Sequence, residues 1–325
     1  MKQSETWQAA QSAFTTFSSV EELPPRIEQG AVGPWMVPDF AVCEALVQRG
    51  ADSSRIAVLQ GQSQESWVAA LAEQHEKPAE NDGALVPPQP FDFDKRLLIL
   101  LPTYNESENL EAMVAAIRRY LVCEILVIDD NSPDGTGKIA DRLAQDDAAL
   151  HVLHRQGKEG LGKAYLAGFA WALERDYDFV YEMDCDFSHA PWDLPRLTAA
   201  GLDAELVIGS RYVRGGCTVG WSFHRRLLSK GANLYTKIFL GFGNQDWTAG
   251  FRCYRASALA ALELDRVAAS GYSFQIEMAW RIKRKGGRVR EIPVHFVDRE
   301  EGISKMSKAI AIEALRVVPL LRFKR

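Results

Sequence analysis

Hydrophobic and polar positions change rhythm near Arg96. From there, apolar runs of strand length alternate with stretches of helical spacing. Leu97 to Leu101 is unbroken and predicts a buried strand, followed by a helix over about Glu108 to Tyr120. Glu124 to Ile128 predicts a second strand, Gly137 to Gln145 a helix, and Leu150 to His154 a third strand. Another helix, to about Glu174, leads to a strand that runs out into Tyr181-Glu-Met-Asp-Cys-Asp-Phe-Ser-His189, and Ala204 to Ile208 is a further strand. Strands alternating with helices of roughly 10 to 15 residues predict an α/β fold, a mainly parallel sheet with helices on both faces.

Residues 1–75 carry a weaker pattern. Trp35 to Val37, Phe40 to Val47 and Ile56 to Leu59 predict strand, helix and strand, with Gly50 closing the helix. Residues 76–95 are polar and Pro-rich (Pro78, Pro87, Pro88, Pro90) and read as a linker. The expected organisation is a small N-terminal appendage with no assigned role, this linker, and a main domain over residues 96–325. Between Trp221 and Phe242, Leu227, Gly231, Leu234 and Ile238 recur at helical spacing, flanked by Arg225, Arg226, Lys230 and Lys237. That stripe suits either a core-facing helix or one lying in a membrane interface. The tail from Ile310 is also amphipathic, and Pro319 is expected to limit its helix.

Composition narrows this little. The hydrophobic share of 47% and charged share of 25% in 325 residues are those of a soluble globular protein. A net charge of -5 argues against general nucleic-acid binding. Five scattered cysteines without a C-x-x-C pair fit a reducing compartment and give no zinc pattern. No apolar stretch follows the first residues, so no signal peptide is expected. No apolar run approaches the length of about 20 residues that a spanning helix needs.

The candidate chemistry lies at predicted strand ends, where open α/β sheets bind ligands. Asp184 and Asp186 form a hard-oxygen pair suited to Mg²⁺ or Mn²⁺ shared with substrate phosphates. Asp129 and Asp130, after the second strand, are placed to bind ribose hydroxyls or a base edge. The alternative there is turn formation and N-capping, for which Asn131, Ser132 and Asp134 would suffice. Gly157-Lys-Glu-Gly-Leu-Gly-Lys-Ala164 matches a phosphate loop except at Ala164, where a Ser or Thr should bind Mg²⁺. That departure, and its place after a third strand, argue against a nucleotide triphosphatase. Its glycines are expected to let the backbone approach a ligand or the sheet.

Six motifs follow in order: Pro102-Thr-Tyr-Asn-Glu106, Asp129-Asp-Asn-Ser-Pro-Asp-Gly-Thr136, Gly157-Lys-x-Gly-Leu-Gly-x-Ala-Tyr165, Glu182-Met-Asp-x-Asp-x-Ser-His189, Gly209-Ser-Arg-Tyr-Val213 and Gly250-Phe-Arg-x-Tyr254. The set resembles the dolichol-phosphate (polyprenol-phosphate) mannose synthases of glycosyltransferase family 2, inverting enzymes with the GT-A fold, over Arg96 to about Lys308. The resemblance implies transfer of mannose from GDP-mannose to a polyprenyl monophosphate, at the cytoplasmic face of a membrane. Pro102, Tyr104, Glu106, Val127 and Asp129 would hold the nucleotide, with Asp130 and Cys185 at the same site. Asp184 and Asp186 would engage the donor and its divalent ion, with Ser188 close to the metal. Arg211 would face the phosphates, and Arg299 and Lys305 would close over the donor from a C-terminal segment.

The acceptor phosphate needs cationic positioning, for which Arg211 and Arg225 or Arg226 are the candidates. Cys185 stands where the family usually has Ala, and its thiol is expected to sensitise activity to oxidation or soft metals. His189, His224 and His295 are expected to be structural, since this chemistry asks for no imidazole. The basic stretch Arg281 to Lys285, with Arg288 and Arg290, reads as helix surface. The tail is a candidate for docking on lipid or on a membrane-embedded partner. Two rivals are the same machinery working on UDP-glucose and a catalytically silent membrane scaffold. The loop at Gly157 and the Glu182 motif argue against the first, and intact Asp129, Asp184, Asp186 and Arg211 against the second.

Overall fold

A seven-stranded sheet carries the chemistry-bearing unit, Asp92–Arg325. The structure, a computed structural model, describes residues 15–16, 35–37, 56–58, 90–241, 243–267, 271–297 and 308–323. In the other unit, Met1–Phe91, strands β1 (Thr15–Thr16), β2 (Trp35–Val37) and β3 (Ile56–Val58) pair in parallel in that order. The strands predicted at Trp35 and Ile56 are therefore present. The helix expected between them, most of the Pro-rich stretch, and Arg299 and Lys305 lie outside the described residues.

The large sheet uses β4 (Leu97–Thr103), β5 (Glu124–Asp129), β6 (Leu150–His154), β7 (Phe179–Glu182), β8 (Leu206–Ser210), β10 (Arg252–Arg255) and β11 (Val289–Pro293). Their order is β11-β8-β10-β7-β4-β5-β6, and only β10 runs antiparallel to its neighbours. Leu97 to Leu101 are fully buried, as expected of a parallel strand covered on both faces. Two short strands, β9 (Cys217–Val219) and β12 (His295–Val297), pair separately.

Helices cover both faces. Helix α1 (Leu110–Tyr120) buries Leu110, Met113, Val114 and Ile117, one stripe at helical spacing. It is followed by α2 (Thr136–Asp146) and α3 (Leu161–Leu173), and a short helix, α6 (Ala256–Ala260), follows β10 later in the chain. On one face Leu98, Leu100, Ile128 and Val180 pack with Tyr165 and Phe169 of α3 and with Phe274 of α7 (Gly271–Arg284). Gly168 lets α3 lie against the strands: a Cβ there would come within 2.8 Å of Leu100 and 2.7 Å of Ile128. On the other face, the Tyr181 hydroxyl bonds the Thr198 hydroxyl of α4 (Leu194–Gly201) at 2.7 Å.

The end of the sheet remote from the motifs is tied by one carboxylate. Glu124 accepts from Tyr177 Oη at 2.7 Å and Arg96 Nη2 at 3.1 Å, and pairs with His151 Nε2 at 2.8 Å. Partial burial raises its pKa, but these three partners outweigh it and hold the carboxyl below its usual value. A depressed carboxylate pKa adds stability above the unfolded value, about 4.3, which is lost as pH falls through the folded value. Glu124→Gln should therefore lower stability by about 1–2 kcal/mol near neutral pH. In urea titrations the gap from the parent should narrow steadily as pH falls below about 4.3; a gap that stays unchanged down to the acid limit of folding would show that the charge is not what ties these strands.

Helix α5 (Phe223–Leu240) answers the question the stripe left open. Phe223, Leu227, Leu234 and Ile238 are 75%, 59%, 54% and 61% exposed. They share one side of the helix, while Asn233 and Thr236 on the opposite side are buried. The apolar face is turned to solvent. Helix α8 (Lys308–Phe323) packs on α5 and α7, burying Val318 and Leu321 and exposing Leu320 and Phe323. The expectation that Pro319 limits this helix is corrected, because α8 continues through it. Proline removes the N–H that would bond the carbonyl of Leu315, and the Tyr235 hydroxyl of α5 donates to that carbonyl at 2.9 Å. The basic stretch at Arg281 is engaged structurally, with Arg281 on Glu277 and Arg288 and Arg290 on Asp203.

Candidate active site

The carboxyl ends of β7, β4 and β5 lie side by side, because these three strands are neighbours and parallel. Adjacent strands are about 4.8 Å apart, so the ends carrying Asp184, Pro102 and Asp129 form one short row. Strand β8 is parallel to β7 across the inverted β10, which brings Arg211 to the same edge. The segment leading into β10, which includes Asp246 and Thr248, approaches that edge as well.

The Asp-x-Asp turn is held from within. Asp186 Oδ1 accepts from Ser188 N at 3.0 Å and Ser188 Oγ at 2.6 Å. Phe187 between them has φ 60°, a left-handed conformation that costs a bulky residue about 1–2 kcal/mol. Such strain persists only where the surroundings impose it, commonly at functional sites. The Asp184 backbone N–H donates to His189 Nδ1 at 2.9 Å, and the His189 ring stacks on Phe251. Buried and occupied in this way, His189 supports the turn. Tyr165 Oη stands 3.5 Å from Asp184 Oδ1.

Beneath the turn, Glu182 sits opposite Arg252, both fully buried. Burial pushes the Glu182 carboxyl up to about 7, against the pull of the nearby Arg252 charge. Arg252 also donates to the carbonyls of Trp247, Ala249 and Gln275. Cys185 is buried too. Burial first, and then nearby Glu106, Asp186 and Asp184, push its thiol well above the usual range. This corrects the expected sensitivity to oxidation or soft metals, since a buried, protonated thiol offers little thiolate.

At the β5 end the carboxylates are engaged with protein. Asp129 Oδ1 accepts from Ser132 Oγ at 2.5 Å and Oδ2 from Ser132 N at 3.2 Å, so Asp129 helps build the turn that its neighbours were expected to manage alone. Asp130 pairs with Arg155 at 2.5 Å, while burial still pushes its carboxyl up. Asp134 accepts from Ser107 N and from Thr136 N and Oγ, which hold it down at about 2 despite some burial. These bonds tie the β4 and β5 loops together. Val127 is fully buried in β5, behind Asp129. Tyr104 is half-buried, with Lys158 Nζ 4.1 Å from its ring centre, and Glu106 is buried near Cys185. Gly157 and Gly160 face open space, so they do not bring the backbone against the sheet; φ of 104° is what favours glycine at 160.

Arg211 is buried and held by Asp246. Its Nε lies 2.7 Å from Oδ2 and its Nη2 2.8 Å from Oδ1. The rings of Tyr212, Trp221 and Phe296 surround the guanidinium at 5.4, 5.4 and 5.7 Å. Arg225 lies over Trp221 at 4.2 Å, and Arg226 Nη2 donates to the Thr218 carbonyl. The structure thus brings Pro102, Tyr104, Glu106, Asp129, Asp130, Asp184, Asp186, Ser188 and Arg211 to one edge. Sequence reasoning gave no site role to Asp246, Arg155, Lys158 and Tyr165, although the last two lie in the Gly157 motif. The first stood four residues before the Gly250 motif and was legible only as an unassigned acid.

The profile of glycosyl transferase family 2 matches residues 98–262. An undecaprenyl-phosphate mannosyltransferase from Micrococcus luteus is 50% identical over 221 residues, covering 68% of this chain and 91% of that protein. A polyprenol monophosphomannose synthase from Mycolicibacterium smegmatis is 47% identical over 247 residues, covering 74% of this chain and 91% of that protein. Among solved structures, glucosyl-3-phosphoglycerate synthase from Mycobacterium tuberculosis, in complex with Mn²⁺, UDP and phosphoglyceric acid, superposes with a TM-score of 0.52 at 18% identity. It covers 70% of this chain and 78% of that one, a likeness of fold.

Proposed function

Because the chain belongs to glycosyl transferase family 2, in its polyprenol-phosphate mannose synthase branch, we propose that it transfers mannose from GDP-mannose to a polyprenyl monophosphate with inversion. The observation that carries the lipid acceptor is the solvent-facing apolar stripe of α5. The opposite side of that helix bonds, through Asn233, to the Thr248 hydroxyl that also accepts from Arg211.

The donor nucleotide is assigned to the edge formed by Pro102, Tyr104, Glu106, Asp129 and Asp130, with Val127 and Cys185 behind it. Among the described residues, no three His, Cys, Asp or Glu side chains gather into a metal cage. Two carboxylates at one turn fit a hard cation that takes its remaining ligands from substrate phosphates and water. Asp184 and Asp186 would hold Mg²⁺ or Mn²⁺, with Ser188 beside them, and the ion would supply positive charge against the departing diphosphate.

An acceptor phosphate oxygen attacks the anomeric carbon from the face opposite GDP. The bond from that carbon to the diphosphate oxygen breaks, and its electron pair leaves with GDP. Phosphate monoesters lose their second proton near pH 6, so the nucleophile is already anionic and no general base is required. Arg211, Arg225 and Arg226 orient it, and Arg299 and Lys305 are assigned to the segment that covers the donor.

The protein would work at the cytoplasmic face of a membrane, with the exposed faces of α5 and α8 against lipid or a membrane-embedded partner. Among the described residues, no helix is long and apolar enough to cross a membrane. Donor choice is tested by thermal unfolding with Mn²⁺ and either GDP or UDP. At about 100 times its Kd a ligand adds about 2.7 kcal/mol, so GDP should raise Tm by several degrees and UDP by much less. A shift with UDP alone would overturn the donor assignment and favour UDP-glucose.

A further inference from the structure

Arg211 enters the site from the end of β8, and the residues that fix it lie far away in the chain. Both Asp246 oxygens bind its side chain, and Asp246 Oδ2 also accepts the Arg211 backbone N–H at 3.0 Å. The Thr248 hydroxyl accepts from Arg211 Nη2 at 2.7 Å and from Asn233 Nδ2 at 3.2 Å, and donates to Asp246 Oδ1 at 3.2 Å. Its one donor and two acceptor positions are all used. Asn233 Oδ1 accepts the Trp247 N–H at 2.7 Å, and Glu291 accepts the backbone N–H groups of Gln245 and Asp246. The segment holding Asp246 is thus pinned by α5, β11 and, through Arg252, by β10.

We infer that Asp246, with Thr248 and Asn233, is the positioning residue that sets the plane and direction in which Arg211 meets the acceptor phosphate. The inference rests on the assignment of Arg211 to that phosphate made above. A bidentate carboxylate fixes the guanidinium fork as no single contact does. It also offsets much of the arginine charge, so Arg211 acts through directed donors more than through net charge. Asn233 belongs to the helix with the lipid-suited face, so the same network relates the direction of Arg211 to the surface where the acceptor would arrive. Lysine cannot replace Arg211 here, because an ammonium has no fork to pair with Asp246.

The test is steady-state transfer from GDP-mannose to short polyprenyl phosphate in detergent, with Asp246→Asn, Thr248→Val, Arg211→Lys and the Asp246→Asn/Arg211→Lys pair. Asp246→Asn should raise the acceptor KM or lower kcat by about 10–100-fold, as misplacement of about an ångström does, while the donor KM stays within about twofold. Thr248→Val should act in the same direction but less. In the Arg211→Lys background Asp246→Asn should add little, because the two act as one unit. Equal damage to both KM values, or an Asp246→Asn effect undiminished in that background, would reduce Asp246 to a structural role. A lowered acceptor KM would make it a restraint on Arg211 and would equally overturn the inference. If Asp246→Asn does not fold, an unchanged acceptor KM and kcat in Thr248→Val would refute it. Should Arg211→Lys itself leave acceptor kinetics unchanged, the acceptor assignment fails and this inference with it. A large effect of Arg211→Lys with none from Asp246→Asn removes the inference alone.

Discussion

Asp186→Ala should abolish measurable transfer, a loss of at least about 10²–10³-fold in kcat, the scale of removing one group that stabilises developing charge. The carboxylate has two tasks. Oδ1 caps the turn through Ser188, and the charge is assigned to the divalent ion and donor. Asp186→Asn separates these tasks, since an amide oxygen still accepts from Ser188 but carries no charge. The amide variant should unfold within a few degrees of the parent and still lack activity, whereas the alanine variant should lose both activity and some stability. Rates at saturating Mg²⁺ or Mn²⁺, with Tm measured alongside, decide it. Transfer that survives in Asp186→Asn would remove this residue from the metal site.

The second large effect concerns the membrane. Replacing Leu227 and Leu234 together by Glu should release the protein from anionic vesicles by about 100-fold or more. A leucine buried from water contributes about 1.5–3 kcal/mol, and each new carboxylate opposes an anionic surface. Lys230 at the edge of the stripe should matter less, about 1 kcal/mol and sensitive to salt. Both leucines are more than half exposed, so the core should tolerate the change. Vesicle sedimentation gives the partition, and transfer to a short acceptor dispersed in detergent should fall much less. Undiminished vesicle binding would mean that α5 does not lie on the bilayer.

These two sites differed in how far the sequence disclosed them. The Asp-x-Asp turn was legible because a strand such as Phe179 to Tyr181, apolar on both faces, must end where a carboxylate can meet a ligand. Strands β4 and β5 were legible for the same reason, and β6, a half-exposed edge strand, from its short Leu-x-Val-Leu run. Strand β10 was not, because Arg-Cys-Tyr-Arg has neither alternation nor an apolar run; its buried Arg252 stands opposite Glu182 in the neighbouring strand and donates to the loop carbonyls of Trp247 and Ala249. The Arg211 and Asp246 pair spans 35 residues and leaves no local pattern. Asp129 was read as a ligand group, and the structure gives its carboxylate to the turn as well. On α5 the periodicity gave the stripe but not which way it faced, since direction depends on what packs behind it. Pro319 was misleading because its missing hydrogen bond is replaced from another helix.

The central claim is best tested by sugar transfer itself: radiolabelled GDP-mannose and, in parallel, UDP-glucose, with polyprenyl phosphate and with or without Mg²⁺ or Mn²⁺. Metal-dependent labelling of the lipid from GDP-mannose alone is the predicted result. Labelling from UDP-glucose instead, or from neither donor in a protein that is folded and bound to the acceptor vesicles, would contradict it.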